Sequence, residues 1–358
     1  MPHLFDPFVI RSVSLRNRIG VSPMCQYSSE DGVATDWHLV HLGSRAVGGA
    51  GLVMSEATAV EPRGRITLQD AGLWCDAQIE PLARITHFIR QHGAVPGIQL
   101  FHAGRKAGTM VPFLGLRNRR LTQDEGGWIC VAPSPIPFRP DDPRPRELTT
   151  LEIVELREAF RRAAGRALDA GYDWLQLHAA HGYLLHSFLS PIANHRTDEY
   201  GGSFNNRIRF MLETVRAIRS AWPENKPLGI RLSATDWLEG GWTLEESIEL
   251  ARRLRSEGVD LIDASSGHAK AGQTYEKYPG WQVRFAEAIR KQADVATAAV
   301  GMISAPAQAE MIIASEQADL ILLGEGMLRD PYWAFHAAEA LGEKRRLRMP
   351  PPYDYVIS

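Results

Sequence analysis

The stretch LGIRLSATDWLEGGWTLEESIELARRLRSEGVDLIDAS, residues 228–265, contains one complete strand–helix–strand unit. The Leu- and Ile-rich runs at its two ends, Leu228–Ser233 and Leu261–Ser265, predict strands. Between them, Thr243 and Glu246 have the spacing of a capping box, which predicts the start of a helix. A strand, a helix and a second strand in this order favour two neighbouring parallel strands joined by a crossover helix.

The same alternation recurs along the whole chain. Eight strand-like runs each precede a helix-like stretch, at residues 19–24, 51–57, 95–102, 174–178, 228–233, 261–265, 296–301 and 320–324. Eight such units close most simply into a (β/α)8 TIM barrel, and a doubly wound open sheet of eight strands is the alternative. Ahead of the first strand, residues 4–18 predict an N-terminal β-hairpin that closes the bottom of the barrel.

One long helix is predicted over residues 149–170. Its apolar residues recur at roughly helical spacing and predict one buried face, formed by Leu151, Val154, Leu156, Phe160, Ala163 and Ala167. The glycine that follows, Gly171, predicts the end of the helix.

Two connections are longer than the short loops of a simple barrel. Residues 103–148 follow the third strand and residues 181–204 follow the fourth, so both are expected on the face where barrel enzymes carry their chemistry. We predict that residues 1–358 form a single barrel domain. The proline-rich tail, residues 343–358, is either exposed or an arm packed on a partner subunit, and we predict the arm at an interface.

The composition excludes several classes of protein. Of the 358 residues, 44% are hydrophobic, which allows a sizeable core, and the net charge of −2 does not fit a general nucleic-acid binder. Three scattered cysteines are too few for a disulfide framework or a four-cysteine cluster and fit a reducing compartment. We find no signal-peptide pattern and no apolar run of about 20 residues, so we expect a cytoplasmic protein away from membranes.

Polar residues or glycines stand at the C-terminal tips of the eight predicted strands. They are Cys25, Glu56, Gln99, His102, His178, His181, Arg231, Ser265, Gly301 and Gly324. In a barrel these tips meet on one face, where active sites lie. The sequence therefore predicts an active site assembled from most of the strands.

The motif HAAHGY places His178, His181 and Tyr183 at one of these tips. Two histidines three residues apart could bind a metal, donate two hydrogen bonds to one oxygen, or be ordinary buried residues. A metal site needs carboxylate or further histidine ligands that converge from other strands. The usual arrangement of barrel hydrolases begins with His-x-His on the first strand, where this chain has Pro23, Met24 and Cys25, so we predict no metal. Two neutral donors beside a tyrosine suit an oxygen that gains negative charge during reaction, with the phenol as proton source.

Two glycines and an arginine suggest a phosphorylated cofactor. Gly301 and Gly324 end the seventh and eighth strands, the usual place of a phosphate in barrels, although glycine also ends strands for steric reasons. Arg231 at the tip of the fifth strand either stabilises negative charge on a cofactor ring or forms a salt bridge. The spacing alone does not separate these two roles.

Several motifs together carry a family resemblance. They are NRI and SPMCQY within residues 17–27, DWHLVHLGSRAVGGAG at 36–51, SEATAV at 55–60, IQLFHAGRKA at 98–107, LHAAHGYLLHSFLSPIANHRTDEYGGSFNNRIRF at 177–210, IRLSATDW at 230–237 and LRDPYW at 328–333. Over essentially its whole length the chain resembles the Old Yellow Enzyme family of flavin-dependent ene-reductases, and within it the bacterial thermophilic-like branch.

The resemblance implies noncovalent FMN at the C-terminal face of the barrel. The residues it assigns to FMN are Pro23, Met24 and Cys25 beside the flavin, Ala57 and Gln99 as hydrogen-bond partners of the ring, Arg231 facing N1 and the C2 oxygen, and Gly301 and Gly324 around the phosphate. It assigns the substrate oxygen to His178 and His181, the proton donation to Tyr183, and the closure of the substrate pocket to Tyr27.

The resemblance also implies an activity. NADPH or NADH reduces the FMN, and the FMN then reduces the activated C=C bond of an α,β-unsaturated carbonyl or nitro compound, in a ping-pong mechanism. Expected substrates are enones, enals, maleimides, nitro compounds or quinones, and a homodimer or homotetramer is expected. Cys25 would tune the potential of the flavin and pack against the substrate.

Two positions depart from the family pattern. Where the family commonly has Gly-Arg after the eighth strand, with the arginine on the phosphate, this chain has Gly324-Glu325. Glu325 still counts among the expected cofactor-binding positions, but backbone amides or another arginine must then hold the phosphate, or FMN binding is weakened. Where branch members often end in Tyr-x-Arg, this chain has Tyr353-Asp354-Tyr355, so an arginine reaching into a neighbouring subunit is not expected.

Overall fold

A computed structural model of the protein describes residues 1–114 and 119–356. Its centre is a closed barrel of eight parallel strands, so the predicted (β/α)8 barrel is confirmed and the open-sheet alternative is wrong. In order around the barrel the strands are β3 (Ile19–Val21), β4 (Leu52–Ala59), β5 (Val95–Phe101), β8 (Trp174–Ala179), β9 (Leu228–Ser233), β10 (Leu261–Ser265), β11 (Ala296–Ala299) and β12 (Leu320–Leu323).

The helices of the described residues surround this barrel. They are α1 (Asp36–Val47), α2 (Ile79–Gln91), α3 (Thr150–Asp169), α4 (Leu184–Leu189), α5 (Phe204–Arg207), α6 (Arg209–Arg219), α7 (Leu244–Ser256), α8 (Val283–Ala293), α9 (Pro306–Ala314), α10 (Glu325–Arg329), α11 (Trp333–Ala340) and α12 (Pro351–Asp354). The predicted capping box opens α7, where the Thr243 hydroxyl accepts a hydrogen bond from the Glu246 backbone N–H. None of the described helices is long and apolar enough to cross a membrane.

The predicted apolar face of α3 is partly wrong. Leu151 and Val154 are 66% and 40% exposed, while Ile153 is fully buried. The buried face follows residues 153, 156, 160, 163 and 167, a regular series of three- and four-residue steps. Leu151 and Val154 fall outside this series and lie on the exposed side of the helix. The sequence analysis counted apolar residues without deciding which helix face they share, and so it assigned these two to the buried face.

The N-terminal hairpin is confirmed and closes one end of the barrel. Strands β1 (Phe8–Ile10) and β2 (Val13–Leu15) pair antiparallel. Ile10 and Leu15 join a separate buried cluster with barrel residues that include Leu52, Trp174 and Leu322. This cluster fills the N-terminal end of the barrel and leaves the C-terminal end for polar groups.

Both long connections contain structure of their own. The connection 103–148 carries short 3-10 turns and a small parallel sheet of β6 (Val131–Ala132) and β7 (Arg146–Glu147), and its residues 115–118 lie outside the described ranges. The connection 181–204 contains α4, which the sequence analysis did not predict. In the predicted arm 343–358, α12 is a single short turn, and the arm's place at an interface stays a prediction.

Candidate active site

A layer of buried polar side chains crosses the barrel beneath its C-terminal mouth. Strand register places Gln99 of β5 opposite Gln176 of β8, and Arg231 of β9 opposite Asp263 of β10. Gln99 Nε2 donates to Gln176 Oε1 at 2.6 Å, and Gln176 Nε2 donates to Asp263 Oδ2 at 3.1 Å. Arg231 pairs with the same carboxylate oxygen, Nε to Oδ2 at 2.6 Å, and donates from Nη2 to Ser22 Oγ at 2.8 Å. These contacts hold Gln99 and Arg231 in fixed orientations.

His178 is the penultimate residue of β8, at the strand tip where the sequence placed it, and its ring lies against that of His181. His178 Nε2 and His181 Nδ1 are 3.3 Å apart, and the two rings are nearly perpendicular. Burial, followed by nearby cations and, for His181, the neighbouring His178, lowers the pKa of both rings well below the ordinary value. Both imidazoles are therefore neutral at pH 7, and each has a single N–H to donate.

The backbone of His181 is held in a left-handed conformation, with φ at 60°. Its N–H donates to Ser233 Oγ at 2.9 Å, and its carbonyl accepts from Lys106 Nζ at 2.7 Å. These two contacts, from β9 and from the connection after β5, stabilise a conformation that a histidine rarely adopts. The strained backbone of His181 thus sets the position of its ring against that of His178.

Tyr183 lies beside the histidine pair. Its ring is edge-on to His178, with centroids 4.9 Å apart, and edge-on to Phe101 at 5.5 Å. Burial, followed by the nearby Cys25, raises the pKa of Tyr183 well above its ordinary value, so the phenol carries its proton at neutral pH. Lys106 Nζ lies 4.5 Å from the centre of the same ring.

The SPMCQY segment after β3 turns back toward Tyr183. Burial, with smaller contributions from the carboxylates of Asp70 and Glu56, raises the pKa of Cys25 well above its ordinary value, so Cys25 is a neutral thiol. Burial likewise raises the pKa of Tyr27, which hydrogen-bonds with Cys25. Glu56 anchors the segment by accepting the Gln26 backbone N–H at 2.9 Å. The thiol and both tyrosines, each partly buried, thus lie in one neighbourhood at the mouth of the barrel.

A cavity of about 600 Å³ opens over these groups. Tyr27, His181 and Tyr183 line it from the barrel, and Lys106, Phe138 and His268 are among the residues that line it from the surrounding connections. Burial, with repulsion from neighbouring arginines, lowers the pKa of Lys106 to about 7. This volume suits a small organic substrate.

The two predicted phosphate glycines differ in their surroundings. A Cβ at Gly301 would lie only 2.6 Å from Gln282 Nε2 and 3.1 Å from Trp281 Nε1, so only glycine fits beside these two N–H donors. At Gly324 the nearest contact of a Cβ would be Met24 Sδ, at 3.7 Å. Glu325, the first residue of α10, is exposed and pairs with Arg329 at 2.9 Å.

Most predicted site residues come together, and several residues that the sequence analysis did not assign join them. Pro23, Met24, Cys25 and Tyr27 follow β3; Ala57 pairs with Gln99; His178, His181, Tyr183 and Arg231 surround the mouth. His102 points elsewhere and pairs with Glu61 at 2.9 Å.

Three residues of the site, Ser233, Asp263 and Lys106, were not assigned roles from the sequence. Lys106 had one visible signal, since it is one of only six lysines.

Among residues 1–114 and 119–356, no three His, Cys, Asp or Glu side chains are grouped so that they could hold a metal ion. His181 instead contacts His178 and Ser265. An oxygen that lies beside both nitrogens could accept a hydrogen bond from each ring.

Known proteins with similar sequences cover nearly all of the chain. Residues 3–344 match the sequence model of the NADH:flavin oxidoreductase / NADH oxidase family. An NADPH dehydrogenase of Bacillus subtilis (strain 168) is 45% identical over 354 residues, 98% of each chain. An NADPH dehydrogenase of Listeria innocua is 47% identical over 345 residues, 96% of each chain.

Solved structures show the same architecture. Morphinone reductase in complex with tetrahydroNAD superimposes with a TM-score of 0.78 at 28% identity, over 99% of this chain and 94% of that one. A 2-naphthoyl-CoA reductase gives a TM-score of 0.85 at 27% identity, over 96% of this chain and 52% of that one.

Proposed function

The chain belongs to the NADH:flavin oxidoreductase / NADH oxidase family, and on this basis we propose that it reduces the activated C=C bond of α,β-unsaturated carbonyl or nitro compounds. The Old Yellow Enzyme resemblance is confirmed, and with it an oxidoreductase that uses FMN and NAD(P)H. The observation that carries the finer proposal is the histidine pair, with His178 Nε2 and His181 Nδ1 3.3 Å apart beside the protonated Tyr183.

The residues at the barrel mouth fit FMN. Gln99 and Arg231 are buried polar side chains held by Gln176 and Asp263, and they suit the polar edge of an isoalloxazine ring. The short side chain of Ala57 leaves room for close approach, and the bare backbone of Gly301 packs beside the side chains of Gln282 and Trp281. We propose that these residues, with Pro23, Met24, Cys25 and Gly324, hold FMN, which supplies the redox chemistry when bound.

The protein's own groups would activate the substrate. Two neutral imidazoles donating to one carbonyl or nitro oxygen stabilise the negative charge that develops there. Tyr183 would then donate its proton to the α carbon of the reduced double bond. Both NAD(P)H and the alkene need access to the same cavity, so they would bind in turn, which is the basis of a ping-pong mechanism.

Several finer statements remain proposals. We propose enones, enals, maleimides, nitro compounds or quinones as substrates, because each offers an oxygen for the histidine pair. We also propose a homodimer or homotetramer in which residues 343–358 contribute to an interface, and a cytoplasmic location in keeping with three unpaired cysteines.

The purified protein tests this proposal directly. We expect flavin absorption bands, their loss when NADPH is added without oxygen, and their return when an enone such as cyclohexenone is added. Turnover across a panel of enones, nitroalkenes and quinones then ranks the substrates. If NADPH abolished the flavin bands but no member of the panel restored them, the proposed ene-reduction would be contradicted. The assignment as a flavin oxidoreductase would still hold.

Glu325 provides a test of the phosphate position. Glu325→Arg exchanges a repelling charge for an attracting one, and we expect FMN to bind about tenfold more tightly, because each exposed charge contributes up to ~1 kcal/mol. Glu325→Gln, the matched control, should give a smaller gain. Riboflavin, which lacks the phosphate, should bind all three proteins equally. Fluorescence titration of the apoprotein measures each Kd, and an equal gain for riboflavin would place the phosphate elsewhere.

A further inference from the structure

The proton position on His178 follows from its backbone contact. His178 Nδ1 accepts the backbone N–H of Ala180 at 3.2 Å. A neutral imidazole carries one proton, so the proton of His178 lies on Nε2. That N–H faces His181 Nδ1 across 3.3 Å. His178 is therefore always a donor toward the point where the two rings meet.

His181 has no such fixed state, because its other nitrogen faces a hydroxyl. His181 Nε2 lies 2.7 Å from Ser265 Oγ, and a hydroxyl can either accept from this nitrogen or donate to it. Ser265 Oγ is also 3.4 Å from Gln282 Oε1. Both Ser265 and Gln282 are buried, at 6% and 4% exposure, so little water competes for these contacts.

The far end of this chain of contacts is fixed. Gln282 Nε2 donates to the carbonyl of Val300 at 3.2 Å, which places Oε1 on the side of the serines. Ser266 Oγ donates to the same Oε1 at 2.7 Å. Gln282 Oε1 can only accept a hydrogen bond. The Ser265 hydroxyl can therefore donate either to Gln282 Oε1 or to His181 Nε2.

Two arrangements of the chain are therefore possible. In the first, His178 donates to His181 Nδ1, His181 donates from Nε2 to Ser265, and Ser265 donates to Gln282. In the second, Ser265 donates to His181 Nε2, and His181 carries its proton on Nδ1. Only in the second arrangement are His178 Nε2–H and His181 Nδ1–H both available to a ligand oxygen that lies beside the two nitrogens.

We propose that Ser265 is a positioning residue that selects the tautomer of His181, so that ligand binding reverses the hydrogen bond between His181 and Ser265. This inference rests on the proposed function, since it assumes that the pair receives a substrate oxygen. The ring releases its Nε2 proton and takes up one at Nδ1 by exchange with cavity water, so it stays neutral. Without a ligand, the N–H groups of His178 and His181 thus donate to neighbouring side chains. When a ligand binds, both N–H groups donate to its oxygen.

The test uses holoenzyme and the Kd of a phenol such as p-hydroxybenzaldehyde, measured by the change in flavin absorption. Ser265→Ala removes the hydroxyl, and we expect phenol affinity to fall roughly tenfold, the order expected when a hydrogen bond to a charged oxygen is lost. Ser266→Ala is the matched control, because Ser266 contacts Gln282 without reaching His181, and its effect should stay below about threefold. Ser265→Thr restores a hydroxyl and should recover most of the affinity.

A second measurement reads the tautomer itself. In ¹⁵N-histidine NMR of wild-type holoenzyme, assigned with a His181 variant, we expect His181 to carry its proton on Nε2 without phenol and on Nδ1 with it. Unchanged phenol affinity in Ser265→Ala, or a phenol complex with the proton still on Nε2, would overturn the inference. Those results leave the proposed function standing, whereas it fails separately if replacing both histidines leaves phenol binding unchanged.

Discussion

Replacing both His178 and His181 with alanine is expected to weaken phenol binding at least about a hundredfold. Phenolates resemble the oxygen that gains charge in the proposed reaction, and hydrogen bonds to charged groups contribute ~1.5–3 kcal/mol each. Two such bonds lost together correspond to two or more orders of magnitude in Kd. The measurement is a titration of the holoenzyme followed by flavin absorption.

Two comparisons make this result specific. His268→Ala removes an imidazole from the same cavity, where its ring lies 5.7 Å from that of His181, and should change the phenol Kd only slightly. The flavin content of each variant shows whether the barrel mouth is intact. Equal losses in His268→Ala and in the double variant would mean that the pair is not the binding site of the oxygen.

The second large effect is expected for Tyr183→Phe. A positioned proton donor accelerates a reaction about 10²- to 10⁴-fold, so the oxidation of the enzyme by an enone should slow by this order. The reaction with NADPH needs no proton from Tyr183 and should keep its rate. Anaerobic stopped-flow absorption separates the two half-reactions.

Tyr27→Phe is the matched control for this experiment. Tyr27 lines the same cavity and hydrogen-bonds with Cys25, but we assign it to closing the pocket. Its loss should alter substrate binding without a comparable slowing of the enone step. If Tyr183→Phe slowed both half-reactions equally, Tyr183 would have a structural role and another group would supply the proton.

The sequence predicted the barrel well because its signals are local. Leu228–Ser233 and Leu261–Ser265 have the predicted bounds in the structure, since each apolar run ends at a change of composition. The phase of α3 was harder, because Leu151 and Val154 are as apolar as the residues that are buried. The first strand ends at Val21, before Pro23, which lacks the N–H that a continuing strand would use.

The sequence predicted those residues of the candidate site that belong to one motif. It did not predict the contacts made by residues of distant strands. His178, His181 and Tyr183 lie close together in sequence, so the motif placed them together. Ser233 and Ser265 act on His181 from 52 and 84 residues away. Serines at the ends of strands are common, and only the closed barrel reveals that these two reach the same imidazole.

The separation between the two ends of the barrel has a consequence for protein engineering. The cluster formed by the hairpin with Leu52, Trp174 and Leu322 is distinct from the cluster that contacts Cys25 and Tyr183. Mutations at distant sites without shared partners usually add independently. A library that repacks the hairpin end could therefore raise thermal tolerance while catalytic selectivity is evolved separately at the mouth, and the two sets of changes could then be combined in one catalyst.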